Sequence, residues 1–222
     1  MSDQEQIRNH IIEELRWDPR VEVKDIEIQL ENGTVILTGT VKSFNEKRAA
    51  EQDIRTLKNV TAVKNKLEVL HRSSVRPEFD TEIQQEIVRE LRNSDDIEAD
   101  AIEIDVNSGY VTLKGTQTSY WTKVKAENLA SEMKGVIDVS NQIKVRPPEE
   151  RDDKMIAHDI VHALTRSAFI NPENIVVDVK DGKVQFTGKI KDWKAYTTAT
   201  RAAVFTEGVT DIDNKLVITD YF

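Results

Sequence analysis

His158 and His162 stand four residues apart in "MIAHDIVHAL", a spacing that on a helix can bring two imidazoles to one metal ion. The positions that correspond to them elsewhere in the chain are Asn9 and Glu13, then Gln85 and Arg89. All are polar and no third ligand lies close by, so the pair reads as part of a solvated face. Glu27, Gln29, Glu103, Asp105 and Asp178 alternate with apolar residues. Paired carboxylates can move protons or hold a hard cation, but this alternation places them on the wet side of strands. Glycines six apart, as in "NGTVILTG", could cradle a phosphate. They lack the Lys-Ser/Thr that completes a phosphate-binding loop, and they fall in strand phase. No Ser/His/Asp set is recognisable, and there is no cysteine. The expectation is a protein that is not an enzyme, with no catalytic residue, no metal site and no cofactor.

What positions these residues is a repeat. "NGTVILTG" (32–39) returns as "SGYVTLKG" (108–115) and "DGKVQFTG" (181–188), 76 and then 73 residues on. The same shifts align Ile7, Ile83 and Ile156, then Leu15, Leu91 and Leu164, without a gap. A fixed period of this size marks one folding unit used repeatedly. Each unit opens on an amphipathic helix, as Ile7, Ile11 and Leu15 recur at four-residue spacing. An alternating strand follows ("IEIQL", 26–30), then a two-residue turn and a second strand. Gly33, Gly109 and Gly182 are the turn glycines; Gly39, Gly115 and Gly188 occupy inward strand positions, where close backbone approach by a helix, or a bulge, is expected. Ser43, Ser119 and Asp192 are N-caps of a second helix, and Glu46 completes a capping box with Ser43. A last strand, 63–69 in the first unit, closes the order α-β-β-α-β.

That order makes a three-stranded mixed sheet covered on one face by two helices, an α+β fold in three tandem units: 1–71, 79–146 and 152–222. The charged, proline-containing stretches "HRSSVRPEFD" and "VRPPEERDD" are linkers. Asn65, Asn141 and Asn214 are equivalent and share phase with buried neighbours such as Leu67. Such an amide contacts a ligand or bonds to backbone around a helix end or bulge. Phe44, Tyr120 and Trp193 each follow the second N-cap, with Trp121 beside Tyr120. They are candidates for lipid or partner contact, or for a staple against the local core.

Composition narrows the partners. The net charge is −9, spread as −1 over residues 1–72, −5 over 73–148 and −3 over 149–222. An acidic chain without a basic stripe is poorly suited to nucleic acid, whose phosphates supply most of the affinity. No apolar run reaches transmembrane or signal-peptide length, so a cytoplasmic location is expected. Units of about 70 residues bury little core, and contacts between units or self-association are expected.

In the first-helix "I...I...L", the hairpin "(N/S/D)G.V.(L/F).G" and the endings "NVTAVKNKLEV", "GVIDVSNQIKV" and "GVTDIDNKLVI", each unit resembles a BON domain, the module named for bacterial OsmY and nodulation proteins. The first unit departs from the pattern with Asn59 where the family usually has glycine. The layout looks like that of cytoplasmic OsmY-like proteins. The resemblance implies a non-catalytic binding module linked to osmotic or envelope stress, contacting phospholipid surfaces or protein partners. Its alternative is a cytoplasmic potassium-binding sensor.

Overall fold

The structure is a computed structural model that describes residues 3–31, 33–57, 60–70 and 77–219. In the first unit, α1 (Asp3–Trp17) is followed by a 3-10 turn (Val23–Asp25), then β1 (Ile26–Glu31), β2 (Thr34–Val41) and α2 (Phe44–Thr56). Its last strand is in two pieces, β3 (Ala62–Asn65) and β4 (Glu68–Val69). The second unit runs α3 (Pro77–Arg92), β5 (Ile102–Asn107), β6 (Tyr110–Gln117), α4 (Tyr120–Glu132) and β7 (Asp138–Val145). The third runs α5 (Asp153–Thr165), β8 (Ile175–Lys180), β9 (Lys183–Ile190), α6 (Trp193–Val204) and β10 (Asp211–Ile218). Helix α3 starts at Pro77, inside the stretch read as a linker, and Pro suits a first helical turn.

The hairpin's second strand is the middle of every sheet: antiparallel to the strand before it and parallel to the last one. The fold is therefore α+β, with three mixed sheets. In the first unit the parallel pairing breaks after Leu37↔Asn65 and resumes at Thr40↔Glu68. The offset between partners is the same on both sides, so this is a gap in the ladder and not a bulge.

Each unit has its own core. Leu15, Leu91 and Leu164 come from the first helices; Val35, Val111 and Val184, with Leu37, Leu113 and Phe186, from the middle strands; all are buried. Fully burying such a side chain stabilises by about 1.5–3 kcal/mol. Ala50, Ala126 and Ala199 are also fully buried, and these small residues let the second helix lie close on the sheet. Glu27, Gln29, Glu103, Asp105 and Asp178 stand on the open face, exposed.

Two backbone constraints set the hairpin. Ser108 and Gly109, at φ 54° and 80°, form the two-residue turn between β5 and β6, and Asp181 and Gly182 repeat it at 51° and 72°. Positive φ at both central residues matches the right-handed twist of the strands. Gly33 keeps φ 77°, while Asn32 lies outside the described residues. Further along, Gly39, Gly115 and Gly188 have φ 108°, 128° and 132°. A Cβ on them would stand 2.1, 2.0 and 2.1 Å from the carbonyl oxygens of Asp25, Ala101 and Asn174. Those carbonyls end the 3-10 turns that lead into the first strands, so a one-turn 3-10 helix makes the close approach, not an α-helix. Gly115→Ala is expected to destabilise the protein by about 3–5 kcal/mol, read as a lower denaturant midpoint; a change below about 1 kcal/mol would show that the strand can shift away.

Candidate functional site

The aromatic residues that begin the second helices lie at the seams between units. Phe44 packs against the core of the second unit, and its N–H donates to Val136 O at 3.4 Å. Arg48, one turn further along α2, donates to Ser131 Oγ and Asn128 Oδ1 on α4, both at 2.8 Å. Tyr120 repeats the move, packing against the core of the third unit, and the Trp121 ring lies 4.7 Å from that of Phe205 at the end of α6. Trp193 closes the circuit: its ring sits 4.4 Å from the guanidinium of Arg55, in the last turn of α2. The start of each second helix thus meets the end of the next one, first on second, second on third, third on first. It is a head-to-tail contact that closes on itself.

The three seams differ in chemistry. Phe44 and Tyr120 join apolar clusters, while Trp193 rests on a cation and edge-on against Tyr196 of its own helix. Trp193 Nε1 and Arg55 Nε are both buried without a hydrogen-bond partner. The seam aromatics are half-buried.

The equivalent asparagines bridge the last strand to the second helix. Asn65 Nδ2 donates to Lys47 O at 2.8 Å and Glu51 Oε2 at 3.1 Å; Asn141 does the same to Lys123 O and Glu127 Oε2 at 2.9 and 3.1 Å. Asn214 donates to Thr200 Oγ1 at 2.8 Å. The amide oxygens accept from Leu67, Ile143 and Leu216 N two residues on. Both ends of the amide are occupied within the unit, at mid-helix and along the strand itself.

The His158 and His162 rings stack 6.2 Å apart, exposed, and Arg166 donates to His162 Nδ1. Among the described residues no three His, Cys, Asp or Glu gather as metal ligands. Ser43 accepts from Glu46 N at 3.1 Å, the expected half of a capping box. The Glu46 carboxylate, almost wholly buried, instead accepts from the N–H groups of Lys42 and Glu22, both at 2.7 Å. It ties α2 to the chain that enters β1 and leaves the Ser43 N–H.

Asp80 and Asp153 stand 73 residues apart, equivalent positions of the repeat whose counterpart in the first unit is Gln4. Asp80 and Asp153, near the start of the first helices, accept from both N–H groups of the hairpin turns, Ser108 and Gly109 at 2.7 and 2.9 Å, Asp181 and Gly182 both at 2.9 Å. Between α1 and α2 lies a groove of about 430 Å³ lined by Glu14, Trp17, Asp18, Pro19, Arg20 and Asp53. Arg20 Nε donates to both Asp18 oxygens at 3.0 and 2.9 Å and holds that carboxyl below its usual range. Burial, followed by the Asp18 charge, pushes the Asp53 carboxyl from 3.8 up to about 6, and its Oδ2 is buried without a partner. In the third unit a cleft of about 380 Å³ is lined by residues including Phe169, Ile170, Lys189, Ile190 and Lys191.

Phe44→Ala empties a half-buried seam position, so the expected loss is about 2 kcal/mol, below the 3–5 kcal/mol of a fully buried ring, with denaturant unfolding splitting into separate transitions; an unchanged single transition would show that the seam does not couple the units. Asp53 holds a proton in the folded state that the unfolded chain sheds, because its folded pKa is the higher one. Its contribution to stability is greatest below pH 3.8 and falls as pH rises through about 6. Asp18, with a lowered pKa, acts oppositely and below 3.8. Asp53→Asn is therefore expected to flatten the pH dependence of the melting temperature between about pH 4 and 6; an identical slope in the variant would place the titration elsewhere.

No described helix is long and apolar enough to cross a membrane. Among curated proteins the chain is similar to the Osmotically-inducible protein Y of Escherichia coli (strain K12), 29% identical over 125 residues, which is 55% of this chain and 62% of that protein. Among solved structures it overlaps CdsD, a structural protein of the type III secretion system of Chlamydia trachomatis, at 16% identity, covering 97% of this chain and 93% of that one, with a TM-score of 0.28. The C-terminal domain of CdsD overlaps at a TM-score of 0.26 and 16% identity, over 98% of this chain and all of that one. The BON domain family profile matches three times, at residues 3–71, 79–147 and 152–220. Those matches take in nearly every element described above, and the chain belongs to the BON domain family.

Proposed function

We propose that this protein is a non-catalytic binding module of the osmotic-stress response that contacts phospholipid surfaces or protein partners. Family membership and the osmotically inducible relative support the setting. The observation that carries the reading is the closed ring of second helices. With the seam faces of α2, α4 and α6 committed to one another, the surface outside the seams of three similar units is left for a partner. Each first helix carries an exposed large apolar side chain: Trp17 on α1, 85% exposed, Phe79 on α3, and Met155 with Val161 on α5. A partner that met more than one of them at once would gain from the high effective concentration of the second contact.

Co-sedimentation with vesicles tests it. Binding of the full chain to anionic vesicles is expected, exceeding its binding to neutral vesicles of the same size. No sedimentation with anionic or neutral vesicles would reject the lipid surface and leave a protein partner. Stabilisation by potassium over sodium and calcium, without vesicle binding, would move the assignment to an ion-binding sensor.

A further inference from the structure

Among the described residues, three surface clefts differ in charge. The groove between α1 and α2 is lined by Glu14, Asp18 and Asp53 beside Arg20. The one between α5 and α6 carries Asp159 and Glu207, each within 3.0 and 3.7 Å of Arg151, beside Arg166 and Arg201. The cleft at the start of α6 is different: no acidic residue lines it. Lys189 and Lys191 stand on its rim, and its floor is Ile170, Ile190 and Ala195. Phe169, 42% exposed, stands at its mouth with Lys194 Nζ 3.6 Å above the ring centroid. The N-cap Asp192 carboxylate stands 4.0 Å from Lys191 Nζ and already accepts from Ala195 N at 2.8 Å. Glu173, on the adjacent 3-10 turn, is exposed but does not line the cleft.

The repeat shows that the fold does not require this arrangement. Where the third unit has Phe169, Lys189, Lys191 and Lys194, the second has Asp96, Thr116, Thr118 and Trp121, and the first has Arg20, Thr40, Lys42 and Asn45. Only the third unit gathers three lysines and an exposed phenyl ring at this place, in a chain whose net charge is −9. An aromatic ring flanked by long cationic side chains suits one environment well. The ring seats at the boundary of headgroups and acyl chains, while the lysine stems lie on apolar surface and their ammonium groups reach phosphate.

We propose that this cleft of the third unit is the face that the protein applies to an anionic lipid surface, with Lys189, Lys191 and Lys194 on headgroup phosphates and Phe169 at the acyl boundary. The assignment rests on the surface-binding reading and gives it a location and a lipid charge. Each lysine near an anionic surface contributes about fivefold to binding, and the contribution fades within a Debye length of screening salt.

The test uses the full chain and vesicles of phosphatidylcholine with or without phosphatidylglycerol. Lys189→Gln, Lys191→Gln and Lys194→Gln together are expected to lower affinity for the anionic vesicles on the order of 100-fold. Phe169→Ala should lower it severalfold and leave the salt dependence unchanged. A charge-matched control, Lys64→Gln, Lys66→Gln and Lys144→Gln, alters exposed lysines elsewhere and should retain most of the binding. Binding that both triple variants lose equally, or that the cleft variants leave intact, overturns the assignment while the surface reading stands. An unaltered chain that binds no vesicle defeats both the cleft assignment and the lipid reading, and leaves a protein partner. Capture of a poly-glutamate peptide, lost in the cleft variants and without vesicle binding, would give the cleft to an acidic protein and overturn the lipid assignment.

Discussion

The contact on which the arrangement of this protein depends is the one between the first residue of each second helix and the following unit. A unit of about 70 residues has too much surface for its volume to be stable by a wide margin. Phe44 and Tyr120 supply the missing burial by entering the apolar cluster of a neighbour, and Arg48 fixes the first seam with two hydrogen bonds. Because the units are similar, a contact that works once works again after the same rotation, and three copies suffice to return to the start. The closing seam is the odd one, with Trp193 on the guanidinium of Arg55 in place of an apolar cluster. Two buried donors there lack partners. Unpaired buried N–H groups weaken a contact, which makes this the seam at which the ring parts most readily.

Within a unit, the second helix has to be held as firmly as the seam demands. Its alanines set the depth at which it lies on the sheet, and the strand asparagine sets its position along the sheet by reaching a mid-helix carbonyl from Asn65 and Asn141. At its start, Glu46 in the first unit fastens it to the chain entering β1; in the second unit Gln117, the last residue of β6, exchanges hydrogen bonds with the backbone of Glu98 at the corresponding entry. Hairpin, turn and first helix are joined separately by Asp80 and Asp153. Short polar clamps take the place that a larger core would fill in a bigger domain.

How much of this could be read from the residues depended on range. Helices and strands are written in periods of roughly four and two, and the turn glycines in local φ, so the α-β-β-α-β order and the mixed sheet were legible from Ile7, Ile11 and Leu15 or from "IEIQL". Strand phase also put the asparagines on the inward side, but their partner, a carbonyl 18 positions earlier, leaves no local trace. The aromatic positions were visible as a set of equivalents. Their destination was not, because an aromatic beside an N-cap reads the same whether it staples its own unit or enters another. Glu46 illustrates the limit at short range: a capping box and a clamp on the preceding strand need the same residue three positions after the serine, and only tertiary structure separates them. The clefts lie further out still, since Phe169 and Lys189 are brought together by a helix, a turn and two strands.

A repeated fold tied into a ring releases its copies to diverge wherever the seams and cores do not reach. The corresponding surface positions have done so. Around the first groove burial pushes the Asp53 carboxyl up, and Arg20 holds that of Asp18 down. In the third unit those two positions are Ser167 and Ala202, and a different place, the start of α6, gathers lysines around an exposed phenylalanine. Divergence of this kind costs little in a unit whose core is intact, because exposed substitutions change stability by only a few tenths of a kcal/mol. The ring joins three units whose cores and seams repeat and whose exposed faces differ, an acidic groove on the first and a basic cleft on the third.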